Sequence, residues 1–435
     1  MKKVLSWILL VMILVGMLGL SSCAMAEDSK LLLWVSGAIV SDSDQKLPQE
    51  QWIISELAAK FEAENPGVEI EIALFPDQIA MTQMFKAAAS GADAPDIVNV
   101  WAGQQLFELK DILVDITDMV PQADKDNILG WDIMSLDFKE GNPILGYPTS
   151  GNEVCGLFYN RQVLAACGLD YDANPPANVE QLMKDMEAIK QAGYLPLAAA
   201  DAGWGEAFFT VYATWWVQTS GSERVASNSQ GITKFADDEG FLTAMQTAVD
   251  MYNKGYINVD YATIPAAMDL FLDGTAAFMA TGNWNTGDAA ATLGEENVGF
   301  LCPPDISEAA TVKNTCIGGP GQVLAVSKTS KNPELAVQFL SFISSKENLT
   351  QLINRQSKLA LRSDIVAADL GIGEEGIWKQ EFDAALNYVF WADNSMVPDV
   401  NAELQKLSPL ALTGKMTVAE LAEALDKKAA EAAAQ

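Results

Sequence analysis

The apolar pattern of residues 31–101 changes period again and again, and that alternation restricts the fold more than any other feature of the chain. Residues 31–35 (LLLWV) are a short continuous apolar run with strand character. Ile53, Leu57 and Phe61 then recur at helical spacing over residues 51–64, and Asn65-Pro66-Gly67 stops that helix. Val68, Ile70 and Ile72 alternate with Glu69 and Glu71, the period-two pattern of a strand with one wet face. A second helix is predicted over 78–90 and a third strand over 96–101. Strands separated by helices must pair in parallel through crossovers, so this part of the chain is an α/β domain.

Ligands of open parallel sheets bind beyond the carboxyl ends of the strands, where the loops diverge. Trp34 and Trp101 stand at two such ends. The loop between the first strand and the first helix, residues 36–50, is far longer than the usual ~2 to 6 residues, which marks it as functional or mobile. Further on, the apolar run 154–160 (VCGLFYN) closes on Arg161, a short helix ends at Gly168, and another helix is predicted over 179–192. Residues 204–216 are rich in aromatics, but Asp201 and Glu206 interrupt the apolar stretch, so it reads as a buried helix rather than a membrane span. The Ala-rich residues 417–435 read as a peripheral packing helix, and no internal repeat is present.

The N-terminus carries an address. Lys2 and Lys3 precede an apolar run over residues 4–20, shorter than the roughly 20 residues a membrane-spanning helix needs, so a cleaved signal peptide is expected over 1–22. Leu20-Ser21-Ser22-Cys23 has the form of a lipobox, which would leave a lipidated Cys23 at the head of a tether over 23–30. Ala24-Met25-Ala26 offers a second cut before Glu27 that would release an unlipidated protein. Both cuts place the chain outside the cytoplasm, the first as a lipid-anchored protein of a bacterial cell membrane.

Without its leader the chain still exceeds the ~250 to 300 residues at which single cores stop growing, so two domains are expected. With 27 Lys plus Arg against 58 Asp plus Glu, the net charge of −31 repels nucleic acid and anionic lipid. The chain has no histidine, which excludes Ser-His-Asp and Cys-His nucleophile systems and His-rich zinc sites. Cys155, Cys167, Cys302 and Cys316 match no metal spacing and can pair in three ways. Cys302 and Cys316 flank Pro303-Pro304 and could form a disulfide in an oxidising compartment or remain free thiols. No cofactor is implied.

Several segments, in order, resemble the extracellular solute-binding proteins of ABC importers, the large family that includes maltodextrin-binding protein. They are KFEAENPGVEIEI (60–72), GADAPDIVNVWAG (91–103), GNEVCGLFYNRQVLAACGL (151–169), FLDGTAAFMATGNW (271–284) and SKNPELAVQFLSFISS (330–345). The resemblance implies an α/β, two-lobed periplasmic-binding-protein-like fold (type II) that closes on a sugar about hinge crossovers near 150–153, 317–322 and 356. The N-lobe would be 31–151 plus 319–356 and the C-lobe 152–318 plus 357–435. It also implies a non-catalytic, monomeric carrier that hands a carbohydrate to separate permease subunits with their own ATPase. The chain itself has no phosphate-cradling GxxxxGK[ST] segment.

Sugar faces present C–H groups that pack on aromatic rings, whereas rim hydroxyls need planar donors and acceptors. Trp101 and Trp284 match aromatic positions lining the cleft in similar proteins, while Trp34 and Trp204 are balanced between cleft and core. Gln104 and Asn283 put amides beside the two favoured rings. Glu153 matches a ligand-facing carboxylate of maltodextrin-binding proteins, or is an exposed hinge charge. Gly319, within 318–321 (GGPG), either brings bare backbone to a ligand or serves as a flexible hinge. The family's C-terminal aromatic platform falls here near Leu404, so a ring from Trp391 is expected to replace it. The competing readings are a polyol, glycerol phosphate, peptide or cation in the same fold, and a secreted glycoside hydrolase using paired carboxylates.

Overall fold

The computed structural model describes residues 29–434 apart from 92, 136–140, 150, 203–204, 309 and 357, so the leader, the Cys23 lipobox and Trp204 lie outside the described residues. Among the described residues ten strands, β1 (Ser29–Val35), β2 (Val68–Leu74), β3 (Ile97–Trp101), β4 (Glu153–Asn160), β5 (Leu195–Ala198), β6 (Ala276–Gly282), β7 (Val298–Leu301), β8 (Cys316–Gly319), β9 (Gln322–Val326) and β10 (Tyr388–Phe390), divide between two sheets. The first has the order β2-β1-β3-β9, and the second runs β10-β8-β4-β6-β5 with β7 also on β4. The fold is mixed α/β, as the alternation in 31–101 predicts.

In the first sheet β1 pairs in parallel with both β2 and β3, and β9 closes antiparallel on β3. A central strand is covered on both faces, which is why residues 31–35 are apolar without alternation. Leu31, Leu33 and Val35 enter one apolar cluster while Trp34 enters another. On the edge strand β2, Val68, Ile70 and Ile72 are buried and Glu69 and Glu71 face water, where both pair with Lys30. The crossover helices are Ile53–Glu64 and Gln78–Ala88, each within two residues of its predicted span. Asp77 caps the second by accepting from the Ala80 N–H at 2.7 Å.

In the second sheet every residue of β6 is buried, and so is all of β4 except Glu153. Two large clusters together form the core, and each packs residues from both sheets. The chain returns from the second sheet to the first between Gly319 and Gln322, through Pro320 and Gly321 alone. Within the aromatic-rich stretch, Phe208–Tyr212 forms a five-residue π-helical turn that leads into the Ala213–Ser220 helix. Trp215 and Trp216 are fully buried there. Among the described residues no helix is long and apolar enough to cross a membrane.

The C-terminal helix Val418–Ala433 starts with a capping box, Thr417 and Glu420 each satisfying the other's backbone. It is more than peripheral, because Leu421, Ala422, Leu425 and Ala429 are buried in the larger cluster. Cys302 and Cys316 form a disulfide, which leaves Cys155 and Cys167 as free thiols.

Candidate functional site

A cavity of about 1010 Å³ opens where loops from both sheets meet. Its walls come from the loop after β1 (Gly37, Ala38), the exposed face of the Gln78–Ala88 helix (Ile79, Gln83, Lys86), the end of β3 (Trp101) and the start of β4 (Glu153). Trp284 follows β6, Trp391 and Asp393 follow β10, and Asn401 and Gln405 belong to the Pro398–Leu412 helix. These are the places to which the strand-end rule directs a ligand.

Among the described residues three indole rings line this one space. Trp284 and Trp391 are stacked with ring centroids 6.3 Å apart and planes 25° from parallel. Trp391 is the inner ring, 5% exposed, and its Nε1 donates to the Gly319 carbonyl at 3.3 Å. Trp284 is the outer ring at 42% exposure, with its face open to the cavity. It lies back over Gly282, where an added Cβ would sit 2.2 Å from the ring, so only glycine permits that pose. Glu206 makes a side-chain hydrogen bond with Trp284 and also accepts from Thr281 Oγ1 at 2.5 Å. Burial raises the Glu206 carboxyl above its ordinary range.

The ionic groups of the cavity largely pair off. Lys358 Nζ meets Glu153 Oε1 at 3.1 Å and donates to the Ala38 carbonyl at 3.1 Å, tying the start of β4 to the loop after β1. Beside it Gln356 Nε2 donates to the Ile39 carbonyl at 2.6 Å. Lys86 faces Glu108 at 3.7 Å on the other wall. The exception is Asp393, whose Oδ1 is buried without a hydrogen-bond partner and whose carboxyl is pushed up to about 6 by desolvation. Its neighbour Asn394 clasps the first sheet: its carbonyl accepts from Gln104 N–H at 2.7 Å and its Nδ2 donates to the Gly321 carbonyl at 3.0 Å. Gly103, at φ +73°, makes that approach possible, since a Cβ there would stand 2.3 Å from the Asn394 oxygen.

The structure therefore brings Trp101, Glu153, Trp284 and Trp391 to one cavity and leaves four other candidates outside its lining. Trp34 is 9% exposed and packs on Phe75 with centroids 4.8 Å apart, because its position in β1 points it into the core. Gln104 turns away, using its Oε1 to accept from Gln230 at 3.4 Å, and Gln105 takes the cavity position. Asn283 is 2% exposed and its Oδ1 accepts from the Val154 N–H, so it ties β4 to the turn after β6. Gly319 supports Trp391 through its carbonyl, and Gly321 is the glycine of that turn that reaches the cavity. Leu404 is fully buried, so its helix offers the cavity no aromatic ring, only Pro398, Asn401, Ala402 and Gln405. Sequence reading missed Lys358, two residues beyond the inferred crossover at 356, and Asp393, two residues beyond Trp391.

The family model described as bacterial extracellular solute-binding protein matches residues 47–350. The chain belongs to that family. Among relatives of this solute-binding protein, the periplasmic-binding protein YcjN of Escherichia coli (strain K12) is 23% identical over 327 residues, spanning 72% of this chain and 70% of its own length. Among solved structures, a chitin oligosaccharide binding protein superposes with a TM-score of 0.75 at 20% identity, covering 94% of this chain and 100% of that one. The sugar-binding protein MalE of Xanthomonas citri gives 0.74 at 17% identity, covering 93% and 98%. These likenesses establish the two-lobed type II solute-binding fold.

The buried carboxyls of this solute-binding protein set a pH dependence of stability. Burial pushes Asp201 up to about 7 and Asp393 up to about 6, and raises Glu206 and Glu381 as well. Unfolded, these groups titrate near ~4, so between there and about 7 the folded state holds more protons, and stability falls as pH rises. The stabilising carboxylates beside arginines, Asp172 and Asp364, are held below the ordinary range and lose their contribution only in stronger acid. Thermal melts are expected to peak near ~pH 4 and decline up to about pH 7. Asp201→Asn should flatten that decline, and a profile rising across the same window would contradict the assignment.

Proposed function

We propose that this chain is an extracytoplasmic sugar receptor that captures a neutral carbohydrate between two lobes and delivers it to an ABC permease. The observation that carries the reading is the composition of the cavity: three indole rings, Trp101, Trp284 and Trp391, in a space whose lysines are already paired with carboxylates. Flat apolar faces suit pyranose rings, and paired charges leave no net cationic site for a phosphate or uronate. The names of the neighbours support the same class, one being a chitin oligosaccharide binding protein and another a sugar-binding protein. YcjN is named for an ABC transporter, which supports delivery to permease subunits with a separate ATPase.

In this reading the N-lobe comprises 31–151 plus 319–356 and the C-lobe 152–318 plus 357–435, and ligand brings them together about the passages between them. The receptor is monomeric, does no chemistry on its ligand, and is held to the membrane by a lipid on Cys23. Fatty-acid labelling of the wild type but not of Cys23→Ala tests the anchor.

A thermal-shift screen against neutral, anionic and amino sugars, polyols, glycerol phosphate and peptides tests the ligand class. A neutral saccharide at 100 times its Kd should add about 2.7 kcal/mol of stability and be recovered unchanged. Stabilisation by a charged solute alone, or shortening of the saccharide, would overturn the reading.

A further inference from the structure

Trp284 sits in the one-turn 3-10 helix Asn283–Asn285, directly after β6. The residues of that turn and its neighbours are bonded down one by one. Asn283 Oδ1 accepts from the Val154 N–H at 3.1 Å. Asn285 Nδ2 donates to Thr281 Oγ1 at 2.7 Å, and that hydroxyl donates in turn to Glu206 Oε1 at 2.5 Å. Thr286 Oγ1 donates to the fully buried Glu381 on the Ile377–Ala384 helix. These bonds fix the backbone beneath Trp284, but none of them sets the angle of the indole.

An indole at 42% exposure needs restraints of its own. Trp391 stacks beside it with centroids 6.3 Å apart, and Gly282 lies against its six-membered ring. Both are contacts along which a flat ring can slide. A hydrogen bond is directional, and an indole has a single donor, its Nε1–H. That donor goes to the Glu206 carboxyl. Glu206 is itself well placed to receive it, because the turn that carries it is closed by two further bonds. Asp201 Oδ1 accepts from the Phe208 N–H at 3.1 Å, and the Phe209 N–H donates to the Gly205 carbonyl at 2.9 Å. Glu206 lies outside the lining of the cavity, so its route to a ligand runs through the ring.

We propose that Glu206 is a positioning residue for ligand recognition: its bond to the Trp284 N–H locks the ring in one pose and withholds that N–H from the ligand, so that Trp284 reads a solute by stacking alone. The proposal rests on the sugar-binding reading and adds to it the group that orients the outer ring and the chemistry that ring offers. A pyranose face of C–H groups meets the open part of the indole without losing a hydrogen bond. A solute that requires a donor from this wall finds none on Trp284.

The bond is tested first without ligand, on the whole mature protein labelled with 15N at its tryptophans. The indole N–H resonance that disappears in Trp284→Phe belongs to Trp284. Its exchange with water should quicken on the order of tenfold in Glu206→Ala and much less in Glu206→Gln, whose amide oxygen still accepts. Equal exchange in wild type and Glu206→Ala would overturn the proposal whether or not any sugar binds. Calorimetric titration with maltotriose, cellotriose and chitotriose then reads recognition. For a trisaccharide that binds, Glu206→Ala should weaken affinity about tenfold and Glu206→Gln by no more than about threefold. In Trp284→Phe, which keeps a ring but has no N–H, adding Glu206→Ala should cost less than about twofold. A loss of the same size in both backgrounds would show that Glu206 acts on the fold and not through the indole, and would overturn the proposal. Melts check folding, and should Glu206→Ala not fold, Glu206→Met fills similar volume without an oxygen and takes its place. Binding of none of the three beside the expected exchange effect would overturn the sugar reading and leave the fixed ring standing.

Discussion

Arg362→Ala is expected to lower stability by about 3 to 5 kcal/mol, the cost of leaving a buried charge without its partner. Arg362 is 6% exposed and so is Asp124. The guanidinium reaches Asp124 Oδ1 at 3.3 Å and the Ser344 carbonyl at 2.9 Å through one amino group, and forks onto Asp364 at 2.8 and 2.9 Å through the remaining two nitrogens. Asp124 also accepts from Ser341 Oγ and from the Tyr147 hydroxyl, whose own ionisation is suppressed by burial and by that carboxylate. Removing the arginine leaves Asp124 facing two hydroxyl donors in a desolvated site. Backbone bonds from Leu129 to Leu361 and from Ser363 to Asn127 run alongside, so the network pins residues 361–363 to the segment that follows the first sheet's third strand. Urea denaturation measures the effect, and a loss below ~1 kcal/mol would show the pair to be as weak as a surface one.

Trp284→Ala and Trp391→Ala are expected to fail in different ways although the rings touch. A micromolar ligand is held by about −8.2 kcal/mol, so removing a sugar platform worth ~2 kcal/mol weakens binding about thirtyfold. Trp284, at 42% exposure, should show that loss with little change in melting temperature. Trp391 is 5% exposed and bonded to Gly319, so its truncation should cost ~3 to 5 kcal/mol of fold stability in addition to affinity. Titration and melts on both variants separate the roles. Normal binding by Trp284→Ala would remove that ring from the site.

The candidate site was legible in sequence where it depended on position along an element. Trp101 ends a strand, where the strand-end rule placed it, whereas Trp284 and Trp391, which each follow a strand, were expected from the family resemblance. The same rule misplaced Trp34, one residue before the end of β1, because side chains alternate across a strand and this one points into the core. Gln104 was off by a single residue for a related reason: Gly103 turns the backbone so that Gln105 faces the cavity.

Sequence alone determined the α/β alternation, the helices and strands of 31–101, the exclusion of histidine chemistry and the family resemblance, since each rests on local period or on residue type. The tertiary structure decided what depends on residues far apart in the chain. Lys358 neutralises Glu153 across 205 positions of sequence, and Glu206 bonds to Trp284. A carboxylate carries no mark in sequence of whether it meets a lysine, an indole or nothing, because that is set by which loops the two sheets bring together. Asp393 and Asp201 are the sharpest cases, ordinary acidic residues in the sequence whose unpartnered oxygens appear only once the protein has closed around them.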